Sequence, residues 1–452
     1  MVSAAEQLAA NLNFGAFAKA EELKRRIWFT LAAMVIYRLG TYIPIPGINP
    51  AAFAESFKAQ SSGILGMFNM FAGGAVERMA IFALNIMPYI SASIIMQLMT
   101  SVVPTLEALK KEGEQGRKQI NQYTRYLTVA LAGFQAFGIA YGLEGSSGAA
   151  GRVVIDPGVF FRISTVVTLV GGTMFLMWLG EQITARGVGN GTSLIIMAGI
   201  VAGLPSALAG LLELSRQQAI SWPLLIALLA LMLAAVATIV FIERAQRRLL
   251  VQYPKRQMGN RMFQGDASHL PLKLNSSGVI PPIFASSLLL LPITVAQFSQ
   301  GSGPDWLNAI VASLGRGQPL YLAIYISLIV FFAFFYTAIV FNPQETADNL
   351  RKYGGFLPGI RPGAKTAEYI DYVLTRITVI GAIYLAAVCV LPELLIAYAA
   401  VPFYFGGTSL LIAVSVTMDT VAQVQGHLLA HQYEGLIKKA KLRGATRGGM
   451  RR

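Results

Sequence analysis

The chain has 452 residues, of which 55% are apolar and only 13% are charged, with a formal net charge of +14. Soluble domains carry roughly 25% charged residues, and disordered chains combine low hydrophobicity with high net charge. The composition therefore excludes a disordered chain, argues against a soluble globule, and favours a polytopic membrane protein.

Apolar runs bounded by charged residues, proline or glycine occur along the whole chain and predict an all-α polytopic membrane protein. A membrane-spanning helix needs about 20 apolar residues, so the chain is long enough for one large membrane domain with short loops. We expect ten transmembrane helices, at residues 24–43, 77–99, 121–142, 159–181, 190–213, 221–243, 276–298, 318–341, 367–392 and 404–426.

The basic residues are divided unevenly between the two sides that these helices define. With the N-terminus inside, 28 of the 36 Lys and Arg residues lie on the cytoplasmic side and 6 lie outside, while Arg38 and Arg376 lie within helices. Lys and Arg concentrate in cytoplasmic loops, so this division predicts that both termini are cytoplasmic. Much of the positive charge then reflects topology and is not separate evidence for nucleic-acid binding.

An unusual segment at residues 60–76 (QSSGILGMFNMFAGGAV) lies outside in this topology. Its apolar stretch is too short to span a membrane and is surrounded by glycines. Apolar backbone of this kind is tolerated at membrane depth only where it is buried in protein. The segment is either an external loop with a helical turn or a short mobile helix that folds back into the bundle.

Ten helices can be divided into two inverted halves of five, joined near residues 214–220, as in many transport proteins. We expect an N-terminal half at 1–217 and a C-terminal half at 218–452. Equivalent small-residue stretches, Ser91–Ser93 in helix 2 and Ala285–Ser287 in helix 7, are a weak trace of such a repeat. Small and hydroxyl residues let helices approach closely, although ordinary helix packing also explains them.

Two long polar segments, 244–275 and 342–366, lie on the predicted cytoplasmic side. Leu270, Leu272 and Leu274 alternate with other residues, which predicts a projecting β-hairpin in the first segment. Basic residues interleaved with aromatic ones suit contacts with RNA phosphates or an acidic protein face. Positive charge on cytoplasmic loops alone is the other explanation, although topology needs only short basic flanks.

The sequence offers no convincing catalytic, metal or cofactor site, and we expect a protein that is not an enzyme. His427 and His431 lie four residues apart but lack the glutamate of a zinc-protease motif and an evident third ligand. The glycine-rich turn 187–191 follows a membrane helix rather than a strand, which is the wrong context for a dinucleotide. Energy for any transport would therefore come from a gradient or from a partner.

Six stretches of the chain closely resemble one family of membrane proteins. They are ALNIMPYISASIIMQLM (83–99), KKEGEQGRKQINQYTRYLT (110–128), WLGEQITARGVGNGTSLIIMAGIVAGLP (178–205), HLPLKLNSSGVIPPIFASS (269–287), FNPQETADNLRKYGGFLPGIRPG (341–363) and FYFGGTSLLI (403–412). The family is SecY, the channel subunit of the bacterial protein translocase, and the resemblance covers about residues 15–442. It implies a ten-helix clamshell whose two halves surround an hourglass-shaped pore.

The resemblance also assigns roles to residues near the pore. A constricting ring of aliphatic side chains is implied at six positions: Ile86, Ile90, Thr192, Ile196, Ile283 and Ile412. Position 192 departs from the family, which often has isoleucine there. Segment 60–76 matches the plug that closes the outer side of the pore, with apolar residues Ile64, Leu65, Met67, Phe68, Met70 and Phe71.

Helices 2, 3, 7 and 8 match the family's lateral gate, through which signal sequences and membrane segments reach lipid. The candidate polar residues at this seam, whose hydrogen bonds we expect to hold the gate shut, are Ser91, Gln135, Asn275, Ser286 and Ser287. The two cytoplasmic segments match the surface that meets the ribosome or the motor ATPase SecA. We expect docking there through Arg247, Arg248, Lys255, Arg256 and Arg361.

The resemblance implies a protein-conducting channel of the bacterial plasma (inner) membrane, with no cofactor. Its expected partners are SecE and SecG subunits, SecA, the ribosome, signal-sequence-bearing polypeptides and the lipid bilayer. Two other functions remain open from the residues alone. A secondary transporter would need a polar or ionisable site near the middle of the membrane, and a non-conducting ribosome receptor would explain the basic loops but not the plug-like segment.

Overall fold

The structure is a computed structural model that describes residues 20–60, 69, 71–145, 147–148, 151–217, 221–253, 256–258, 261–263, 267–298, 318–399 and 407–448. Its helices in the N-terminal half are α1 (Glu21–Gly40), α2 (Pro50–Gln60), α3 (Met87–Val102), α4 (Pro104–Lys111), α5 (Glu114–Gly145), α6 (Val159–Arg186) and α7 (Gly191–Arg216). Those in the C-terminal half are α8 (Trp222–Arg244), α9 (Ile280–Phe298), α10 (Pro319–Val340), α11 (Pro343–Lys352), α12 (Ala364–Ala399) and α13 (Thr408–Gly448).

The strands are few and short. They are β1 (Ser147–Gly148), β2 (Gly151–Arg152), β3 (Gln246–Gln252), β4 (Arg256–Met258), β5 (Arg261–Phe263) and β6 (Ala267–Lys273). Each pairs with one antiparallel neighbour, in the orders β1–β2, β3–β6 and β4–β5. The fold is therefore that of an all-α polytopic membrane protein with small hairpins outside the helices.

Every predicted transmembrane helix coincides with a helix of the structure. Within the described ranges, six helices are long and apolar enough to cross a membrane, or seven if α3 and α4 are one broken span. Helices α1, α9 and α13 occupy the remaining three predicted positions. Ten helices lie where the sequence predicts them, and the count of ten membrane crossings stays a prediction.

The second predicted helix is wrong at its start, since the sequence predicts it from residue 77 and it begins at Met87. Residues 72–86 form a series of turns instead. Gly73, Gly74, Met79 and Asn85 all have positive φ angles, a region that an α-helix excludes. The helix also ends sharply, because Val103 precedes Pro104 and takes an extended conformation, and α3 meets α4 at 97°.

Two ion pairs, each with more than one hydrogen bond, hold α5 against α6. Near one end, Arg125 Nη2 lies 2.7 Å from Glu181 Oε2. Near the other end, Arg162 Nη2 lies 2.6 Å from Glu144 Oε2, and the same carboxylate accepts a hydrogen bond from the Gly158 N–H. Because the two helices run antiparallel, the pairs fix both ends of the helix pair.

The largest apolar core draws on helices from both predicted halves. It includes Tyr37 of α1, Leu176 of α6 and Ile195 of α7, together with Phe284 of α9 and Leu411 of α13. A second core joins α5 and α6 to the segments around Ile48 and Val154, which also form an isolated β-bridge. The first core is the region in which the predicted pore residues meet.

Candidate pore, gate and docking surface

Four of the predicted ring isoleucines lie in the large core. Ile86, Ile90, Ile196 and Ile412 are each at most 8% exposed and belong to one cluster of packed side chains, and Ile283 packs against it. These five residues come from α3 or the turn before it, α7, α9 and α13. Side chains that are distant in sequence, and that come from both predicted halves, therefore meet at one place.

Thr192, at the sixth predicted ring position, is half-buried in the first turn of α7. Its hydroxyl donates to the Oδ1 of Asn190, 2.7 Å away, within the N-terminal turn of α7. Its methyl group faces Gly180 of α6, where an added Cβ atom would lie 3.4 Å from that methyl. The hydroxyl of Thr192 is therefore hydrogen-bonded to the N-cap residue of its own helix. The place of Thr192 in the ring stays a prediction.

A cluster of isoleucine side chains can close a pore without binding the polypeptide that moves through it. Flexible apolar side chains offer no fixed pattern of hydrogen bonds, and a narrow apolar constriction dewets when it is empty. Passage would then depend little on the sequence of the passing chain. A solute-specific site, in contrast, needs placed polar or ionisable groups.

Of the predicted plug residues, only Phe71 lies within the described structure, and it is 2% exposed. Ile64, Leu65, Met67, Phe68 and Met70 lie outside the described residues. The chain after Phe71 is buried although it is not helical, and Ala72, Ala75, Ala80 and Phe82 are all at most 4% exposed. Protein covers this irregular backbone, as membrane depth requires.

A contact between the predicted halves occurs at the predicted gate. Ser287 of α9 donates its hydroxyl to the sulfur of Met87 at the start of α3, at 3.8 Å. Beside it, the ring of Phe284 packs edge-on against Phe332 and Tyr336 of α10. Helices α9 and α3 therefore meet through a weak polar contact beside apolar packing.

The other predicted gate residues make different contacts. Ser286 bonds to the carbonyl oxygen of Ile283 in its own helix. Ser91 is buried on α3, and Gln135 of α5 has an Oε1 atom without a hydrogen-bond partner among the described residues.

Asn275, also predicted at the gate, makes its hydrogen bonds within the C-terminal half. Its Nδ2 lies 2.7 Å from Glu243 Oε1 at the end of α8 and 3.0 Å from the carbonyl oxygen of Gly278, and its Oδ1 accepts from Ser277. Asn275 therefore fixes the start of α9 to α8. The sequence does not identify this partner, because the two residues are 32 positions apart.

The two segments that are predicted to be cytoplasmic, 244–275 and 342–366, pack together as one unit. The predicted hairpin is confirmed, since β3 pairs with β6 over seven residues, with Arg247 opposite Leu272. Leu249, Val251 and Leu272 share a small core with Leu357 and Ile370 of the second segment. Backbone hydrogen bonds in both directions also join Gln252 to Phe356.

Basic side chains are exposed on this unit. Arg247, Arg248 and Arg361 are exposed, and Arg361 borders an open groove of about 450 Å³ together with Lys365, Tyr369 and Tyr372. Lys255 lies outside the described residues, and only the backbone of Arg256 is described, in β4. The surface offers donors for phosphate or carboxylate groups beside aromatic faces.

Arg38 and Asn85, two residues outside the predicted site, hold the buried segment that follows Phe71. Arg38 donates to the carbonyl oxygen of Gly73, and Asn85 donates to that of Phe71. A charged residue inside an apolar helix is the sequence signal for Arg38. The other arginine that the sequence places within a membrane helix, Arg376, lies over the ring of Tyr372, 4.1 Å from its centre.

Comparisons with known proteins agree on one family. The family model described as SecY matches residues 80–421. Among curated relatives, the chain is 56% identical to the protein translocase subunit SecY of Rickettsia conorii over 422 residues, which are 93% of this chain and 97% of the relative. It is also 56% identical to the Escherichia coli K12 protein of the same name over 427 residues, or 94% and 96% of the two chains.

Solved structures agree in fold. A protein-conducting channel matches with a TM-score of 0.67 at 16% identity, covering 89% of this chain and 92% of the other. A SecY protein studied for its plug domain matches at 0.66 and 17% identity, and Sec61 in a canine ribosome–channel complex at 0.63 and 17%, each with the same coverage.

Proposed function

The chain belongs to the SecY family, and we propose that it is the channel subunit of a protein translocase. It moves unfolded secretory polypeptides across the membrane and releases transmembrane segments sideways into lipid. It is a multi-pass membrane protein and not an enzyme. The observation that carries the proposal is the cluster of ring isoleucines, which brings together side chains from α3, α7, α9 and α13 in one buried core.

We assign the constriction to Ile86, Ile90, Ile196, Ile283 and Ile412, and the lateral gate to the seam between α3 and α9. Support for the gate comes from the weak hydrogen bond between Ser287 and Met87. A seam of apolar packing and weak polar contacts can separate without leaving strong donors or acceptors unpaired. The buried segment that ends at Ile86 connects the constriction to the predicted plug.

The proposed partners follow from the family and from the basic cytoplasmic unit. SecE- and SecG-type subunits complete the channel, and SecA or the translating ribosome supplies the work. Docking is through Arg247, Arg248, Lys255, Arg256 and Arg361. The proposed location is the bacterial inner membrane, with both termini in the cytoplasm, as the division of Lys and Arg predicts.

Reconstitution tests this function directly. The chain, co-purified with SecE- and SecG-type subunits in proteoliposomes, is supplied with SecA, ATP and a secretory precursor. We expect the precursor to become protected from external protease only with ATP and only when its signal sequence is present. Equal protection without the signal sequence or without ATP would contradict the proposal, and ion-driven uptake of a small solute with no precursor protection would favour a transporter.

A further inference from the structure

Two arginines from different elements meet at one tyrosine beside the end of α1. The Cζ atom of Arg38 lies 4.9 Å from the centre of the Tyr42 ring, and the Cζ atom of Arg78 lies 4.1 Å from it. Tyr42 follows the last residue of α1 by two positions, and Arg78 belongs to the turns before α3. The two guanidinium groups, called the arginine pair below, are therefore within about 9 Å of each other, and both side chains are half-buried.

The arginine pair has no carboxylate partner in the described part of the chain. The acidic residue next to it in sequence, Glu77, is bonded to Asn69 instead, with 3.4 Å between Oε2 and Nδ2. Residues 56–76, which come just before Glu77, include no Asp or Glu that could supply a carboxylate. Two positive charges at this separation repel each other, so an anion that contacts both is stabilised.

The two arginines differ in how many of their donors the protein uses. Arg38 is held in place, since Nη1 donates to the carbonyl oxygen of Gly73 at 2.6 Å and Nη2 donates to the hydroxyl of Tyr42 at 3.0 Å. Within the described residues, Arg78 makes one long hydrogen bond, from Nη1 to the carbonyl oxygen of Thr41 at 3.4 Å. A guanidinium carries five N–H donors whose fork geometry matches phosphate oxygens. Arg78 therefore has donors left for an anion, and Arg38 adds a fixed positive charge.

An exposed apolar face of α1 leads to the arginine pair. Four side chains spaced by three or four residues, and so on one face of the helix, are 47–70% exposed: Trp28, Leu31, Val35 and Leu39. We call them the α1 stripe. Exposed apolar surface of this kind marks contact with lipid or with another protein, and Tyr42 at its end suits the level of lipid headgroups. A lipid with an anionic headgroup matches both the stripe and the charge.

We propose that Arg38, Arg78 and Tyr42 form a binding site for the phosphate of an anionic phospholipid, whose acyl chain lies along the α1 stripe. Arg78 donates to the phosphate oxygens, and Arg38 contributes charge from its fixed position. The predicted orientation places this site in the outer leaflet. A partner helix could cover the stripe, but it would also need an acidic residue at the arginine pair, whereas one phospholipid supplies both parts. The site goes beyond the proposed channel function and does not depend on it.

Quenching of a fluorophore by labelled lipids tests the site. In the Cys389→Ser chain, Val35→Cys carries the fluorophore on the α1 stripe, and the complex with its partner subunits is reconstituted in phosphatidylcholine vesicles. Phosphatidylglycerol or phosphatidylcholine with a nitroxide in its acyl chain is then added in increasing amounts. The comparison position is Ile226→Cys, which is 64% exposed near the start of α8 and lies on the same predicted side of the membrane.

We expect phosphatidylglycerol to quench position 35 at a lower lipid fraction than phosphatidylcholine does, and the two lipids to quench position 226 equally. Arg78→Gln should reduce the preference at position 35 roughly tenfold, because it removes a charge-assisted hydrogen bond. Arg78→Lys keeps the charge and should retain part of the preference. The control is Arg152→Gln, which changes an exposed arginine on β2 outside the site and should leave the preference unchanged.

Several results would overturn the proposal. One is equal quenching of position 35 by both lipids, and another is a preference that Arg78→Gln and Arg152→Gln change to the same extent. No quenching of position 35 by either lipid would mean that a protein partner covers the stripe. Loss of the preference in millimolar inorganic phosphate would assign the arginine pair to a free anion. All these measurements are made without a translocating chain, so they can fail while the channel function holds.

Discussion

Asn275 is a buried amide on which the start of α9 depends. It is 4% exposed and uses both its donor and acceptor atoms, with Glu243, Gly278 and Ser277 as partners. Its bond to Glu243 connects the turn before α9 to the end of α8. We therefore propose that Asn275 acts on the gate by positioning α9, since its hydrogen bonds lie within the C-terminal half and do not cross the seam.

Replacing Asn275 with leucine should loosen the seam between α9 and α3. The substitution removes the amide group whose Nδ2 donates to Glu243 Oε1 at 2.7 Å. A buried acceptor that is left without a donor costs about 1–3 kcal/mol. A cysteine pair at Met87 and Ser287, whose side chains touch in the structure, should then form a disulfide more slowly. The control is Ser276→Ala, since the hydroxyl of Ser276 bonds locally, to the carbonyl oxygen of Lys273.

This prediction has a clear opposing result. If disulfide formation between positions 87 and 287 is as fast in Asn275→Leu as in Ser276→Ala, Asn275 does not position the gate helix. The rate is measured in the complex with its partner subunits and without a translocating chain. Cys389 is first changed to serine in every variant, so that the introduced pair is the only source of thiols in the chain.

Helices α5 and α6 are expected to move as one element, because ion pairs join them at both ends. Replacing Glu144 with glutamine removes the charge that faces Arg162 while keeping the size of the side chain. The Glu144 side chain is 11% exposed, so water compensates little for the lost attraction. We predict that the apparent Tm of the purified complex falls by about 2–4 °C.

Glu107→Gln is the matched control for this change. Glu107 pairs with Lys111 on the short helix α4, where both side chains are more than half exposed, and surface pairs contribute little to stability. A Tm that falls equally in both variants would mean that the Glu144–Arg162 pair does not clamp the helices. Thermal unfolding followed by intrinsic fluorescence gives both values.

The β3–β6 hairpin and the segment after α10 form a second element, for which we propose a role in docking. If docking on the ribosome rests on phosphate contacts, affinity should fall steeply as salt rises. Each of Arg247→Ala, Arg248→Ala and Arg361→Ala should reduce the slope of log affinity against log salt by roughly 1. Arg152→Ala, an exposed arginine on β2 outside this unit, should leave the slope unchanged.

Binding of the purified complex to ribosomes, measured by co-sedimentation over a range of salt concentrations, gives these slopes. A flat response for the unsubstituted chain would contradict docking through RNA phosphates. Slopes unchanged in all three variants would assign the docking to other residues. The shared core around Leu249 and Leu357 keeps the hairpin folded when exposed arginines are replaced.

Elements that depend on local sequence pattern could be predicted, and contacts between distant residues could not. The ten helix positions follow from long apolar runs, and the hairpin follows from the alternation of Leu270, Leu272 and Leu274. The start of α3 could not be predicted, because the turns at 72–86 depend on glycines in α1, α6 and α7. The partners of Asn275 and Arg38 likewise lie 32 and 35 residues away, beyond any local pattern.

Over the whole molecule, the distribution of basic residues predicts one orientation in the membrane. In the Cys389→Ser background, a cysteine at Arg152 should react with a membrane-impermeant maleimide from the outside of intact cells. A cysteine at Arg361 should react only after the membrane is opened, because the predicted orientation places the docking surface in the cytoplasm. Because the side chains at both positions are exposed, burial does not explain a difference in labelling between them. Labelling of position 361 but not of position 152 in intact cells would contradict the orientation.

The central claim is that a polypeptide passes through the ring of isoleucines, and site-specific cross-linking tests it most directly. A single cysteine replaces Ile283 or Ile412 in the Cys389→Ser chain, and the complex receives a stalled secretory chain with one mid-chain cysteine. The control is a cysteine at Phe241, which is 77% exposed on α8. We predict a disulfide at positions 283 and 412 only when the stalled chain is engaged, and none at 241. No disulfide at either ring position, while cysteines in the 244–275 segment still cross-link to the ribosome, would contradict the channel and indicate a receptor.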